Sequence, residues 1–290
     1  MVIGGGPGGM KAACTAAQRG HIVTLVEKQN RLGGQLLLNR NIPGRSDFVT
    51  VARDLIQNLN VLDVTIILGT EVNMAFIEQM APDVVVLATG ARPFWPDIPG
   101  IESDNVVHAW DLLNGKVRVG NKVVVLGGNA VGVETALYLA SQGTLSPEAF
   151  YFLTTHKAES VKTLSNLINK GNKDVTLVEM TPKIGQDLGV TTRWSVMAEL
   201  KRFSVTIMKE TKAVAITPEG LNVETPKGSC FLKADSIVIA AGSRSENSLA
   251  DEIKHLVPKL YIIGDARKPR KALDAIHEGY MTGLEIGTNH

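Results

Sequence analysis

Apolar residues gather along this chain in short runs of strand length. Val84 to Ala88, Val123 to Leu126, Ile237 to Ala241 and Leu260 to Ile263 are the plainest. Runs without alternation fit strands buried on both faces of a parallel sheet. Two runs lead directly into glycine: Val2 and Ile3 into Gly4-Gly5-Gly6-Pro7-Gly8-Gly9, and, about 120 residues later, Lys122 to Leu126 into Gly127-Gly128-Asn129-Ala130-Val131-Gly132. After the first turn an Ala-rich stretch from Gly8 to Arg19 predicts a helix, with Gly20 placed as its terminating residue. Each turn is followed by a strand ending in an acid, Ile22 to Glu27 and Asp174 to Glu179. A later strand in each half ends in glycine, Asp83 to Gly90 and Asp235 to Gly242. Each half therefore reads strand, glycine turn, helix, strand with terminal Glu, meander, strand with terminal Gly.

This order predicts an α/β protein of two doubly wound, Rossmann-like dinucleotide-binding domains, the FAD/NAD(P)-binding fold, with the NAD domain inserted in the FAD domain. In the first turn Gly4 permits the tight bend, Gly6 admits a pyrophosphate to the backbone amides, and Gly9 lets the helix pack closely on the sheet, with Pro7 and Gly8 opening that helix. The helix N-terminus offers its positive dipole end to phosphate. Glu27 stands 18 residues after Gly9, where a carboxylate accepts hydrogen bonds from ribose hydroxyls and repels a 2′-phosphate. That suits FAD or ADP. The short strand Leu260 to Ile263 delivers Gly264-Asp265 from far along the chain, placed for a ribityl chain, and a helix expected near Lys271 can aim its N-terminus at a flavin ring. Ala88-Thr89-Gly90 closes the same site.

The second turn holds Asn129 where the first has Gly6. Asn tolerates positive φ, so the turn can form, while its side chain either intrudes on the pyrophosphate or donates a hydrogen bond to it. The second site comprises Gly127, Gly128, Asn129, Ala130, Val131, Gly132, Glu134, Glu179 and Gly242. Glu179 has no Arg immediately after it, which favours NADH over NADPH. Between Gly132 and Glu179 lie 47 residues where such a unit needs about 20. An insertion is therefore expected near 143–173, carrying an amphipathic helix from Glu159 to Asn169 with Val161, Leu164 and Leu167 on one face. It reads as a surface lobe or subunit contact, or as a docking surface or lid.

Composition narrows the partners. With 30 basic against 29 acidic residues and 5% aromatics the chain offers no nucleic-acid surface. Its apolar runs fall far short of the roughly 18 to 20 residues that span a bilayer, no signal peptide is expected, and the sparse cysteines fit a reducing, cytoplasmic setting. Cys14 and Cys230 are the only two cysteines and have no partner at metal or redox spacing. A dithiol, a zinc site or a Cys-ligated cluster within the chain is thereby excluded. Cys14 reads as a small buried helix residue, and His277 as a helix-surface or interface residue. Only Met1 to Ile3 precede the first turn, where a buried parallel strand normally has about five or six residues, so the natural polypeptide is expected to extend further upstream.

The paired motifs resemble the two-dinucleotide-binding flavoproteins that include glutathione and thioredoxin reductases. Arg31-Leu32-Gly33-Gly34-Gln35, Asn41-Ile42-Pro43-Gly44 and Leu260 to Glu285 are similar to a narrower group, the C-terminal half of 2-enoate reductase, 2,4-dienoyl-CoA reductase and trimethylamine dehydrogenase. That resemblance implies FAD on the first site, with Lys28, Gly34, Gln35, Val72 and Ala272 as further FAD-binding positions, and Glu134 near the nicotinamide and flavin. It implies NADH as donor, and an upstream barrel domain or subunit holding FMN and a [4Fe-4S] cluster that reduces an enoate-type substrate. Domain limits of 1–102 plus 256–290 and 103–255 follow, with linkers Arg92 to Gly100 and Asn247 to Pro258 and the nicotinamide facing the flavin across them. The competing reading is a non-catalytic module holding ADP or FAD structurally beside a degenerate second site. A free-standing thioredoxin-type reductase lacks its cysteine pair here.

Overall fold

The structure, a computed structural model, describes residues 1–287. The chain forms two compact units, one of 1–40, 45–93 and residues from 243 onward, the other of 41–44 and 94–242.

The first unit begins with β1 (Val2–Ile3), α1 (Pro7–Gln18), β2 (Thr24–Val26), α2 (Asp47–Val61), β3 (Thr65–Ile67), α3 (Met74–Met80), β4 (Val84–Leu87) and β5 (Ala91–Pro93). The second contains β6 (Val106–His108), α4 (Ala109–Leu113), β7 (Lys122–Leu126), α5 (Ala130–Ala140), α6 (Pro147–Thr155), α7 (Val161–Asn169), β8 (Asp174–Val178), α8 (Val190–Arg202) and β9 (Thr206–Met208). It continues through β10 (Lys212–Thr217), β11 (Gly220–Thr225), β12 (Gly228–Lys233) and β13 (Ser236–Ile239). The chain then returns to the first unit with β14 (Ser243–Ser245), α9 (Ser248–Ile253), β15 (Lys259–Ile262) and α10 (Ala272–Glu285).

Each unit is built on a five-stranded parallel sheet, in order β15-β4-β1-β2-β3 and β6-β13-β7-β8-β9. The central three strands follow the same plan, glycine-turn strand flanked by the Glu strand and the Gly strand. Apolar side chains fill both faces: Met10, Leu25 and Leu59 on one side of the first sheet, Ile77, Leu87 and Ile253 on the other. Burial on both faces is what an unbroken apolar run demands.

Three expectations need correction. The meander lies only in the second unit, as the antiparallel β10-β11-β12; the first unit bridges β3 and β4 with α3 instead. Residues 247–258 are not a linker, because Ala250 and Ile253 of α9, three apart on one helix face, and Val257 beyond its end are buried in the first unit's core. The chain passes between units at 93/94 and 242/243, ahead of the limits read from the sequence. In the insertion both helices form, yet only Leu164 of the expected apolar face is buried, at 1% exposure, whereas Val161 is 78% exposed.

Candidate functional sites

The two glycine turns are geometric copies. Gly4 and Gly127 adopt φ of +109° and +111°, a region closed to other residues without strain. A Cβ on either would lie 2.3 or 2.4 Å from a carbonyl oxygen, that of Ala88 or Ala240, at the end of the adjacent strand. Gly5 N–H donates to Glu27 Oε2 and Gly128 N–H to Glu179 Oε2, both at 2.6 Å. The other carboxylate oxygens accept from Gln29 N and Thr181 N at 2.8 Å. An ionised carboxylate has about four acceptor positions, so each Glu keeps capacity for two ribose hydroxyls.

The copy extends further than the motif. Gly33 N–H donates to Gly5 O at 2.8 Å, and Gly185 N–H to Gly128 O at 2.6 Å. Leu32 and Ile184 pack over Gly5 and Gly128 respectively. The stretch Leu32-Gly33-Gly34-Gln35 thus has its counterpart in Ile184-Gly185-Gln186-Asp187, a correspondence visible in the spacing from each Glu but not noticed in the sequence.

At the first site a Cβ on Gly6 would meet no atom within 4 Å, so open space lies in front of the turn. Gly8 and Gly9 sit buried in the first turn of α1, and Thr89 Oγ1 is held by Glu246 O. Asp265 Oδ1 accepts from Arg270 N and Oδ2 from Gln35 Nε2, both at 3.0 Å. Burial raises the Asp265 carboxyl above its usual range, against those two donors and the Arg270 charge. Glu278, not singled out by sequence, holds the same turn: Oε2 accepts from Gly264 N at 2.7 Å and Oε1 from Arg270 Nη2 at 2.5 Å. Burial works to raise Glu278, but these donors and the Arg267 charge outweigh it and leave the carboxyl lowered. Lys271 caps α10, so the amide of Ala272 opens the helix beside this turn, with Gly90 next to Gln35. Lys28 is exposed, and Val72 is a core side chain, leaving its main chain as the part able to meet a ligand. Cys14 is buried and His277 exposed on α10. An open cradle, a free helix N-terminus, a carboxylate for ribose and a half-buried acid beside a second helix start suit FAD chemically.

The second site departs at Asn129. Its φ is −73°, so positive φ is not needed there, and the expectation that the residue's tolerance of it lets the turn form is corrected. Its side chain turns back to the protein: Oδ1 accepts from Gly132 N at 3.1 Å and Nδ2 donates to Ala240 O at 2.9 Å. The residue is the N-cap of α5, tying helix to sheet. Ala130 N–H, which leads the helix, is taken by Asp187 Oδ1 at 2.7 Å. Glu134 lies in the second turn of α5 and is 9% exposed, beyond the first turn where a dipole effect is felt. Val131 stands in the helix's first turn, and Gly242 just beyond β13.

Two dinucleotide folds in one chain, each with a glycine turn and a Glu carboxylate bound to it, define a two-nucleotide flavoprotein of the Rossmann type. Residues 1–279 match the pyridine nucleotide-disulphide oxidoreductase family, and the chain belongs to that family. Membership implies FAD and a nicotinamide nucleotide as its ligands. The chain is 42% identical over 289 residues to a metal reductase of Desulforamulus reducens, covering 98% of this chain and 43% of that protein. It is 33% identical over 292 residues to an NADH oxidase of Thermoanaerobacter brockii, covering 99% and 40%. Among solved structures it is similar to a 2-naphthoyl-CoA reductase in complex with 2-naphthoyl-CoA, with TM-score 0.84, 31% identity, and 98% and 39% of the two chains covered. The chain spans about two-fifths of the length of these relatives. No helix among the described residues is long and apolar enough to cross a membrane.

Proposed function

We propose that this chain is the electron-input module of a larger reductase, taking hydride from NADH at the second site and holding FAD at the first. The observation that carries the proposal is the pair of turns matched in φ and hydrogen bonds, with their Glu27 and Glu179 carboxylates at identical 2.6 Å contacts. On this reading Gly4, Gly6, Gly8, Gly9, Glu27, Gly34, Gln35, Thr89, Gly264, Asp265 and the N-terminus of α10 hold FAD. Gly127 to Gly132, Glu134, Glu179 and Gly242 hold NADH. Bound FAD supplies a two-electron acceptor that can release electrons singly. The protein's part is orientation and exclusion of water, for which no general acid or base is required.

The two cysteines of the chain are free, Cys14 buried and Cys230 exposed, so the electrons leave by another route than a dithiol. An FMN and [4Fe-4S] barrel, on the same longer polypeptide or a separate subunit in the cytoplasm, is the acceptor we propose, with an enoate-type compound as terminal substrate. The length of the relatives and their names as reductases support it. Anaerobic titration of the FAD-loaded chain with NADH and with NADPH tests the module. Stoichiometric bleaching of the visible flavin absorbance by NADH is expected; its absence sinks the proposal.

One observation favours a second reading, a nucleotide-holding scaffold. Asp187 occupies the leading amide of α5, where a phosphate would sit. Release of ADP in place of FAD on denaturation is the result that would select it.

A further inference from the structure

The loop that follows each ribose-facing Glu returns to its glycine turn by the same hydrogen bond, Gly33 to Gly5 and Gly185 to Gly128, but then ends in different chemistry. In the first unit the fourth residue of the loop is Gln35, neutral and directed at Asp265. The first helical residue there is Pro7, which has no N–H to offer. In the second unit the fourth residue is Asp187, and its carboxylate sits 2.7 Å from the N–H of Ala130, the residue matching Pro7. Ile184 and Leu188 are buried on either side and fix the loop, while Asp187 itself is exposed. Only its side chain has to move for the amide to be released.

The geometry points to Asp187 as a built-in competitor for the dinucleotide pyrophosphate, setting the second site for exchange of its ligand where the first is set for retention. This rests on the reading of the second site as an NADH site. A helix N-terminus attracts one anion to its leading amides, and both the carboxylate and the pyrophosphate satisfy it. Binding displaces the carboxylate into water and leaves a like charge beside the phosphates, which weakens the complex and speeds departure of the spent nucleotide. Because the Asp187 bond is solvent-exposed the exchange costs little, so the competition tunes affinity without closing the site. Among the described residues no carboxylate takes a leading amide of α1, Glu27 reaching only Gly5 N ahead of the helix.

The test compares the FAD-loaded wild-type chain, its flavin reduced beforehand so that NADH binds without transferring hydride, with Asp187→Asn, which keeps an oxygen for Ala130 N–H, and Asp187→Ala, which removes it. Calorimetry with NADH, ADP and adenosine reads the affinity, and displacement kinetics read NAD⁺ release. Both variants should bind NADH and ADP roughly 2- to 5-fold tighter. They should release NAD⁺ correspondingly more slowly and leave adenosine binding unchanged. Equal or weaker NADH binding with adenosine unchanged overturns the competitor. A common loss for adenosine and NADH marks a structural role and overturns it as well. If neither wild type nor variants bind NADH or ADP, the NADH site itself falls, a result distinct from the other two.

Discussion

Gln35 Nε2 donates to Asp265 Oδ2 at 3.0 Å across 230 positions of sequence, closing the first unit around its candidate flavin site. The Asp265 carboxyl is raised above its ordinary value of 3.8, by burial first, with Gln35 and the Arg270 amide opposing. A group raised on folding favours the folded state below its unfolded pKa, and that contribution is lost as pH rises through the folded value. Ionised Asp265 is therefore a cost at neutral pH. Flavin-free Asp265→Asn should melt at a higher temperature than wild type at pH 7, with the gain fading as pH falls through the carboxylate range. The same variant should purify with less FAD, since its acceptor for the ribityl hydroxyls is weakened. A melting temperature unchanged across the pH series would show that the buried charge costs nothing.

Asn129 is a cap and not an obstruction. Asn129→Ala forfeits the bond to Gly132 N and the tether to Ala240 O, and should cost about 1–2 kcal/mol in urea unfolding. Asn129→Gly restores the residue of the first site and should leave NADH affinity unchanged while losing the tether. A marked gain in NADH affinity on Asn129→Gly would mean that the side chain does stand in the pyrophosphate's way.

Glu179 should decide between the nicotinamide nucleotides. Its carboxylate is fixed by Gly128 N and Thr181 N, with the exposed Met180 beside it offering no counter-charge for a 2′-phosphate. Hydrogen bonds to a charged group are worth about 1.5–3 kcal/mol, so Glu179→Gln should weaken NADH by roughly ten- to a hundredfold. NADPH should lose less, and the ratio of the two dissociation constants is the quantity to measure. An unchanged ratio would place the ribose elsewhere.

What the sequence disclosed was local: apolar runs, glycine turns, and an acid at a fixed distance, each set by one strand or one turn. Gly4 and Gly127, Glu27 and Glu179 were legible because the spacing itself carries the geometry. Glu278, Arg270 and Asp187 were not, because their roles depend on which loop returns to which turn. For Asn129 the motif offers only intrusion on the pyrophosphate or a hydrogen bond to it, because a motif scores residue types, whereas its Oδ1 and Nδ2 partners belong to α5 and the end of a remote strand. The six residues of α9 are too few for a periodic signal and read as linker, though Ala250 and Ile253 are core.

His108 should give the second unit an acid-sensitive stability. It is buried between Trp95 and Trp110, with ring centroids 5.4 and 6.1 Å away, and its Nδ1 accepts the N–H of Trp110. That bond requires the neutral ring. Burial lowers its pKa from 6.5 to about 4, with Asp111 and the Phe94 backbone opposing. A histidine lowered on folding gives stability that is present above the unfolded pKa and is lost as pH falls through the folded one. Stability should therefore drop by about 3 kcal/mol on going from pH 6.5 to 4 through this group. His108→Asn keeps a cap acceptor and should flatten that part of the profile. Equal slopes in wild type and variant would assign the acid loss to other groups.

The first site also depends on a helix contact that carries no ligand. A Cβ on Gly279 of α10 would lie 2.2 Å from Gly8 O, and one on Gly283 2.5 Å from Thr15 Cβ. Glycine at these two positions lets α10 and α1 approach backbone to backbone, and Gly8 belongs to the first turn of α1, whose amides hold the pyrophosphate on the proposed reading. Gly279→Ala must push the helices apart, at a cost of roughly 1–3 kcal/mol by the usual penalty of overpacking. Because the displacement acts on the carbonyl of Gly8, flavin retention should fall together with melting temperature, whereas NADH affinity at the second site should hold. Gly283→Ala presses on Thr15 Cβ, which side-chain rotation does not move, further along α1 from Gly8, and should cost comparable stability with less loss of flavin. Flavin content and melting temperature measured on both variants would separate the two effects; full flavin in Gly279→Ala would show that the turn of α1 is held by the sheet alone.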